Sequence, residues 1–456
     1  MHVTTTTGAF VDQILAISYA SLPHEAIEIA KQVTLDALAV MLAGATEPLG
    51  IGRISTAYVG DMGGAPQATV IAGGFKAAMP DAAYANGTMA HALDFDNTWY
   101  PLNHPTSPTL PAILAIAEHY RLAGHKVIEA IVTAFEVQAR ARLAASETGR
   151  EHGTTFHWPG TTGAFGATAA ACKLLELNRQ QTLMAFGLAG SRLGGISLNT
   201  GTMTKSSHSG HGARIGVECG LLAKKGWTAS DDVFGPNGFF TTLMHADGHP
   251  DLLTRDFGAP FYMVEPGVGF KKHPCNYFTH RPIDAALALR EEYKIQPEQI
   301  ERVEIVFPRF DHLSRPQPRT GLEGKQSVEY ATAIALLDGE ITVESFTNER
   351  RYAPDVVALL SKLRITPDDG IVLDFDTMHS IVKVWLTDGR QVSKRVDKLS
   401  GWVGYPLTRE QRIAKFLSCA RRVLDAKAAE RMIAEVERLE TLPNVGEIMD
   451  IARCEG

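Results

Sequence analysis

The sequence predicts a mainly α-helical protein that carries a smaller α+β domain as an insertion, and three observations support this. Ala-rich apolar segments broken by Gly or Pro fill the first 250 residues, a period of two appears after about residue 258, and helical composition returns from Leu407 to Arg453. One large helical domain is therefore expected from residues 1–258 and 405–456, with residues 259–404 forming the α+β insertion. The length agrees, because 456 residues, 45% of them hydrophobic, exceed what a single core usually organises.

From Pro23 to Ala43 the side chains Ile27, Ile29, Ala30, Val33, Leu35, Leu38, Val40 and Leu42 make a helix that becomes apolar almost all round and stops at Gly44. That is the pattern of a buried helix. Ala-rich segments near residues 80–92, 109–123, 126–145, 161–176, 180–190 and 210–226 follow, most of them punctuated by Gly or Pro. Beyond residue 258, Val303, Ile305 and Phe307 alternate with Arg302, Glu304 and Val306, as in a half-buried strand. His379 to Leu386 and Gln391 to Val396, joined by Thr387-Asp388-Gly389-Arg390, read as a hairpin closed by Asp-Gly. Helical stretches lie around Ile283 to Tyr293 and Val328 to Leu337. In the tail, Ala428 to Leu439 is strongly helix-forming and Pro443-Asn444-Val445-Gly446 breaks it. This tail is expected to pack back on the N-terminal domain, and the threonine run at residues 4–7 to be disordered.

A net charge of −7 argues against nucleic acid or an anionic membrane as partner, because both select basic surfaces. An anionic substrate would need a locally basic pocket. No apolar run approaches the length of a membrane span, and the Met1-His2-Val3-Thr4 start lacks the basic and apolar regions of a signal peptide, so a cytoplasmic protein is expected. Cys172, Cys219, Cys275, Cys419 and Cys454 are scattered without a CxxC pair, which predicts reduced thiols.

The residues with the most chemistry lie in the run His91-Ala-Leu-Asp94-Phe-Asp96-Asn97-Thr98-Trp99-Tyr100-Pro-Leu-Asn-His104-Pro105. Histidines and carboxylates this close can serve as acid, base or charge tuner. Asp96, Asn97 and Thr98 are equally good turn and cap residues. A second cluster, Thr154-Thr155-Phe156-His157-Trp158-Pro159-Gly160-Thr161-Thr162-Gly163, precedes a small-residue helix whose free N–H groups suit a carboxylate. A third, Gly201-Thr-Met-Thr204-Lys205-Ser-Ser-His208-Ser-Gly210-His211, places Lys205 in a Gly- and hydroxyl-rich loop that opens the next helix. It lacks Walker A spacing, so nucleotide binding is not supported. Phe270-Lys271-Lys272-His273-Pro274-Cys275-Asn276-Tyr277-Phe278-Thr279-His280, with two lysines and two histidines at the opening of a helix, and Ser327-Val-Glu329-Tyr330 complete the set, with Tyr330 equally placed to be an amphipathic core residue. His91, Asp94, Asp96 and His104, or His208 and His211, could in principle ligate a divalent ion, but HExxH, zinc-type Cys/His spacing and an EF-hand loop are all absent; no metal is expected.

"HALDFDNTWYPLNHPTSPTLPAILAIAE" resembles the signature of the MmgE/PrpD family, which includes 2-methylcitrate dehydratases, cis-aconitate decarboxylases and iminodisuccinate epimerases. The five segments occur in the family's order. The resemblance implies a large helical domain formed by both chain ends, an inserted α+β lid and a homodimer. It also implies Asp94, Thr98, His104, His157, Lys205 and Tyr330 as catalytic residues, with Lys271 at a matching basic position; Lys271, Asn276 and His208 are taken as the candidates for binding substrate. The decarboxylases carry a histidine where this chain has Asn276, whereas "DFDNTWYPLNHP" is closer to their pattern than to that of the methylcitrate dehydratases.

The expected function is thus a cofactor-independent lyase for a small di- or tricarboxylate, by dehydration or decarboxylation, whose task is to stabilise a carbanion or enediolate beside a carboxylate. Lys205, Lys271 and Thr98 would clamp carboxylates, His104 and His157 would exchange protons, Asp94 would orient or charge a histidine, and Tyr330 would complete the pocket from the lid. The alternatives are an epimerase of a dicarboxylate such as iminodisuccinate, a metal-dependent hydrolase built on the His/Asp cluster, and a non-catalytic helical scaffold.

Overall fold

The N-terminal residues build α1 (Thr6–Ala16), α2 (His24–Ala45) and α3 (Ile51–Met62), and a short ribbon of β1 (Ala68–Thr69) and β2 (Lys76–Ala77) leads into α4 (Met79–Ala92). Then come α5 (Leu110–His119), α6 (Gly124–Ala145), α7 (Thr162–Leu174), α8 (Arg179–Gly190), α9 (Met203–Lys224) and α10 (Phe239–Leu243). The computed structural model describes residues 5–99, 104–145, 156–244 and 248–454.

The centre of this domain is α4, which packs against α2, α3, α5 and α9. Its contact with α9 is made by backbone: a Cβ on Gly87 would lie 2.8 Å from Gly210 Cα, and one on Gly210 would lie 2.3 Å from Tyr84 O. Small residues on both helices thus let α9 approach closely and bring its first turns beside the C-terminal end of α4. The threonine run is ordered where it is described. Thr5 Oγ1 accepts the Gly8 N–H at 3.0 Å as the cap of α1, and the buried Thr7 exchanges hydrogen bonds with Phe234 N and Asp232. Hydroxyls that cap and cross-link offset the low helix propensity of threonine.

The second domain contains α11 (His280–Tyr293), β3 (Ile300–Phe307), α12 (Gly321–Gly324), α13 (Val328–Asp338), α14 (Asn348–Arg351), α15 (Pro354–Ser361), β4 (Leu363–Pro367), β5 (Ser380–Leu386) and β6 (Gln391–Val396). The sheet order is β4-β3-β5-β6, parallel between β3 and β4 and antiparallel elsewhere. The expected hairpin is β5–β6, and alternate residues Val382, Val384 and Leu386 of β5 face the core. Strand β4 has only one buried residue, Leu363, and so carries no alternation that the sequence could reveal.

The chain returns through α16 (Arg409–Ala420), α17 (Ala426–Glu437) and α18 (Gly446–Arg453), which pack on α2 and α5. Two apolar cores result. Phe261, Met263, Val268 and Phe270 join the larger one with the N-terminal helices and the tail, while the smaller runs from Cys275 to Trp402. No helix among the described residues is long and apolar enough to cross a membrane. All five cysteines are free thiols.

Candidate active site

Where α4 ends, Leu93 is its C-cap and Asp94 follows with φ +51°. That left-handed position after a helix is one that glycine usually fills and that aspartate tolerates. Lys325 from the second domain donates to Ala92 O at 2.9 Å and places its cation at the negative end of α4; burial pushes this lysine down to about 8.

Asp94 is the meeting point of both domains. Its Oδ1 takes the Lys271 ammonium at 2.6 Å, and the same ammonium donates to Asp94 O at 2.7 Å. Its Oδ2 accepts from Gln326 Nε2 at 2.6 Å and faces Lys205 Nζ at 3.2 Å. Burial opposes ionisation, but the cations of Lys205 and Lys271 outweigh it and hold the Asp94 carboxyl well below its usual range. Lys205 stands in the first turn of α9, which begins at Met203, earlier than its apolar run suggests, because Thr202 takes the extended N-cap conformation.

Two residues on, Asp96 lies under a pair of imidazoles. His91 Nδ1 is 3.0 Å from Asp96 Oδ1, and His104 Nδ1 is 3.2 Å from Asp96 Oδ2. An ionised carboxylate only accepts, so it favours the hydrogen on each Nδ1 and leaves Nε2 of His104 facing Asp94, 3.8 Å from Oδ1. The group that orients His104 is therefore Asp96, whereas Asp94, expected to orient a histidine, is committed to the lysines. Burial works against the Asp96 charge, and His104 and His91 overcome it, so its carboxyl also stays well below the usual range. Burial pushes His91 down to about 3 against the opposing pull of Asp96.

His157 is fixed by its backbone N–H on Gly195 O at 2.8 Å, and its Nδ1 meets His208 Nδ1 at 3.2 Å. One of the two nitrogens donates and the other accepts. Burial, then the Lys205 cation, holds His157 well below the ordinary histidine range, and the same two causes push His208 down to about 4. Both rings are neutral near pH 7.

Asp94, Thr98, His104, His157, Lys205, Lys271 and Asn276 converge on one cavity of about 210 Å³. This is below the roughly 300–1,000 Å³ of sites for drug-sized ligands and suits a small molecule. Thr98 is held there by paired backbone hydrogen bonds with Gly269 at 2.9 and 2.8 Å. Two expected residues stand elsewhere. His208 lies behind His157, packed on Gly195, and does not line the cavity. Tyr330 is fully buried in α13, its ring against Gly324 and its hydroxyl donating to Ser345 O at 2.6 Å, so it does not line the cavity. Gln326, Tyr277, Phe278, Phe310, His312 and Phe375 also line it, and of these the sequence did not single out Gln326, Phe310, His312 or Phe375. Tyr100 to Asn103 of the opening run, and Thr154 and Thr155 of the second cluster, lie outside the described residues.

Among the described residues, His91, Asp96 and His104 form a set of donor atoms close enough to hold an ion. The same contacts are accounted for by two imidazole N–H groups facing one carboxylate.

The MmgE/PrpD N-terminal domain model matches residues 8–250, and the MmgE/PrpD C-terminal domain model matches residues 273–441. Cis-aconitate decarboxylase of Mus musculus is 31% identical over 372 residues, covering 79% of this chain and 76% of the relative. The Homo sapiens cis-aconitate decarboxylase is 29% identical over 453 residues, covering 97% and 93%. The 2-methylcitrate dehydratase of Salmonella typhimurium is 25% identical over 421 residues, covering 81% of each.

Proposed function

The chain belongs to the MmgE/PrpD family and is a lyase, and from that premise we propose that it is a cofactor-independent decarboxylase of a small tricarboxylate of the cis-aconitate kind. The observation that carries this reading is the convergence of Lys205 and Lys271 with His104 and His157 on one small cavity. The preference for decarboxylation over dehydration rests on the mouse and human decarboxylases, 31% and 29% identical against 24–25% for the dehydratases, although the Aspergillus decarboxylases also stand at 24–25%.

In the proposed reaction, Lys205, Lys271 and Thr98 hold the carboxylates that remain on the substrate. The carbon–carbon bond to the third carboxylate breaks, carbon dioxide leaves, and the electron pair stays on the allylic carbon, spread towards the neighbouring carboxylate. A proton taken up from solvent is then delivered to carbon by Nε2 of His104, so one proton is consumed per turnover, while the neutral His157 ring borders the substrate. Fixed cations aimed at the developing charge favour the transition state. Asp96 keeps the His104 ring in one tautomer.

Product analysis by NMR in deuterated water, with cis-aconitate, citrate, 2-methylcitrate and aspartate-derived acids, tests the proposal. The expected result is loss of carbon dioxide with one deuterium fixed on carbon, at a rate unaffected by chelator. Loss of water would convert the assignment to a dehydratase, exchange with inversion alone to an epimerase, and inactivation by chelator with one equivalent of metal would favour the His91, Asp96 and His104 set.

A further inference from the structure

The hydrogen bonds that reach Asp94 from the lid have a fixed direction. The backbone N–H of Phe278 can only donate, so the Asn276 atom it meets at 3.0 Å is Oδ1. That leaves Asn276 Nδ2 for Gln326, whose receiving atom at 2.9 Å is Oε1. Gln326 then presents Nε2 to Asp94 Oδ2 at 2.6 Å. The far end agrees, because an ionised carboxylate accepts only. Neither amide titrates, and Gln326 is buried.

We infer that Asn276 and Gln326 work as one polarity-locked amide chain that positions Asp94 and, through it, the two lysines that clamp substrate carboxylates. The inference rests on the reading of the cavity as a polycarboxylate site and adds two positioning residues to it. Asp94 divides its acceptors among Lys271, Gln326 and Lys205. With the amide gone, Oδ2 has one donor left, Lys205, and draws that ammonium towards itself and away from substrate. Asn276 acts one step further back: without it Gln326 is free to turn its oxygen towards Asp94. The chain thus spans the domain boundary, from the lid turn that contains Tyr277–Thr279 to the end of α4.

The experiment is a steady-state comparison, on the full-length protein with cis-aconitate, of Gln326→Met, Asn276→Leu and the double variant, with circular dichroism as the check on folding. Each single variant is expected to raise KM by about tenfold while kcat stays within about threefold, the size of a hydrogen bond to a charged group and the signature of lost carboxylate binding. The double variant is expected to be no worse than Gln326→Met alone, since Asn276 acts only through Gln326. Should Gln326→Met fold poorly, Gln326→Asn keeps the amide but withdraws it from Asp94 by one carbon, with the same rise in KM expected. An unchanged KM in the Gln326 variants, or effects that multiply in the double variant, overturns the inference alone. A parent enzyme that turns over no tricarboxylate overturns the reading of the cavity, and the inference with it.

Discussion

The wall of the cavity built by the helical domain carries His104 and His157, backed by His91, Asp96 and His208, whereas the lid wall carries Lys271, Asn276, Gln326, a single histidine, His312, and the rings of Tyr277, Phe278, Phe310 and Phe375. The imidazoles are concentrated on the helical side, tied to the α4 end and to α9. Fixed charge, non-titrating amides and apolar rings are concentrated on the lid. The difference separates two tasks: the helical domain holds the proton inventory, and the lid sets where carboxylates sit and how dry the cavity is. Two residues cross the division: Lys205, a cation from α9 that meets the lid through Asp94, and His312, an imidazole on the lid wall.

The comparison breaks most directly at His104. His104→Ala should lower kcat by about 10²–10⁴, the usual worth of a positioned proton-transfer group, with a much smaller change in KM. Lys271→Ala should act in the opposite proportion, chiefly on KM. Steady-state kinetics on the active tricarboxylate checks both, and a His104 variant with full kcat would remove the proton-transfer role from that wall.

A smaller effect appears in stability against pH. Burial holds His91, His157 and His208 below the ordinary 6.5, with His208 at about 4 and His91 at about 3. The unfolded chain therefore binds protons that the folded one refuses once the pH falls below 6.5. Stability is unaffected by these groups above that value and is lost as the pH drops from 6.5 towards 4 and below. The depressed carboxyls of Asp94 and Asp96 add their loss only below the ordinary 3.8. The thermal midpoint should fall steadily between pH 7 and 5, and a flat midpoint over that range would contradict the neutral, buried state of these rings. His273 and His280 of the lid are depressed by burial in the same direction, so a variant with His91→Gln should keep part of the dependence.

The helical half of the fold was legible because its helices are apolar enough to show in composition, and the β5–β6 hairpin because Asp388-Gly389 fixes a turn between alternating runs. Strand β4 was not, since one buried residue in five gives no period. In the site, the run from His91 to His104 announced itself by its density of acids and bases. What it hid was which acid serves which base: Asp94 and Asp96 look equivalent in sequence, and only the left-handed turn at Asp94 sends one carboxylate to the lysines and the other to the histidines. Gln326 was illegible for a related reason. A glutamine beside the helix cap Ser327 carries no signal of its own, and its partner Asp94 is 232 residues away.

The smallest predicted effect tests Tyr330, a residue that the family resemblance and the geometry treat differently. If Tyr330 contacted substrate, Tyr330→Phe would cut kcat by orders of magnitude. Its hydroxyl is instead spent on Ser345 O, and its ring is packed between Gly324 and Phe346. The substitution keeps the ring and removes one buried hydrogen bond, which costs about 1 kcal/mol of stability. Denaturant unfolding should register that loss, while kcat and KM stay within about twofold, because a bond confined to the lid interior contributes equally to the free enzyme and to the transition state. A collapse of kcat with the lid still folded would mean that Tyr330 leaves Ser345 during turnover and reaches the cavity, and the lid would then share in the chemistry that the present geometry assigns to the helical wall.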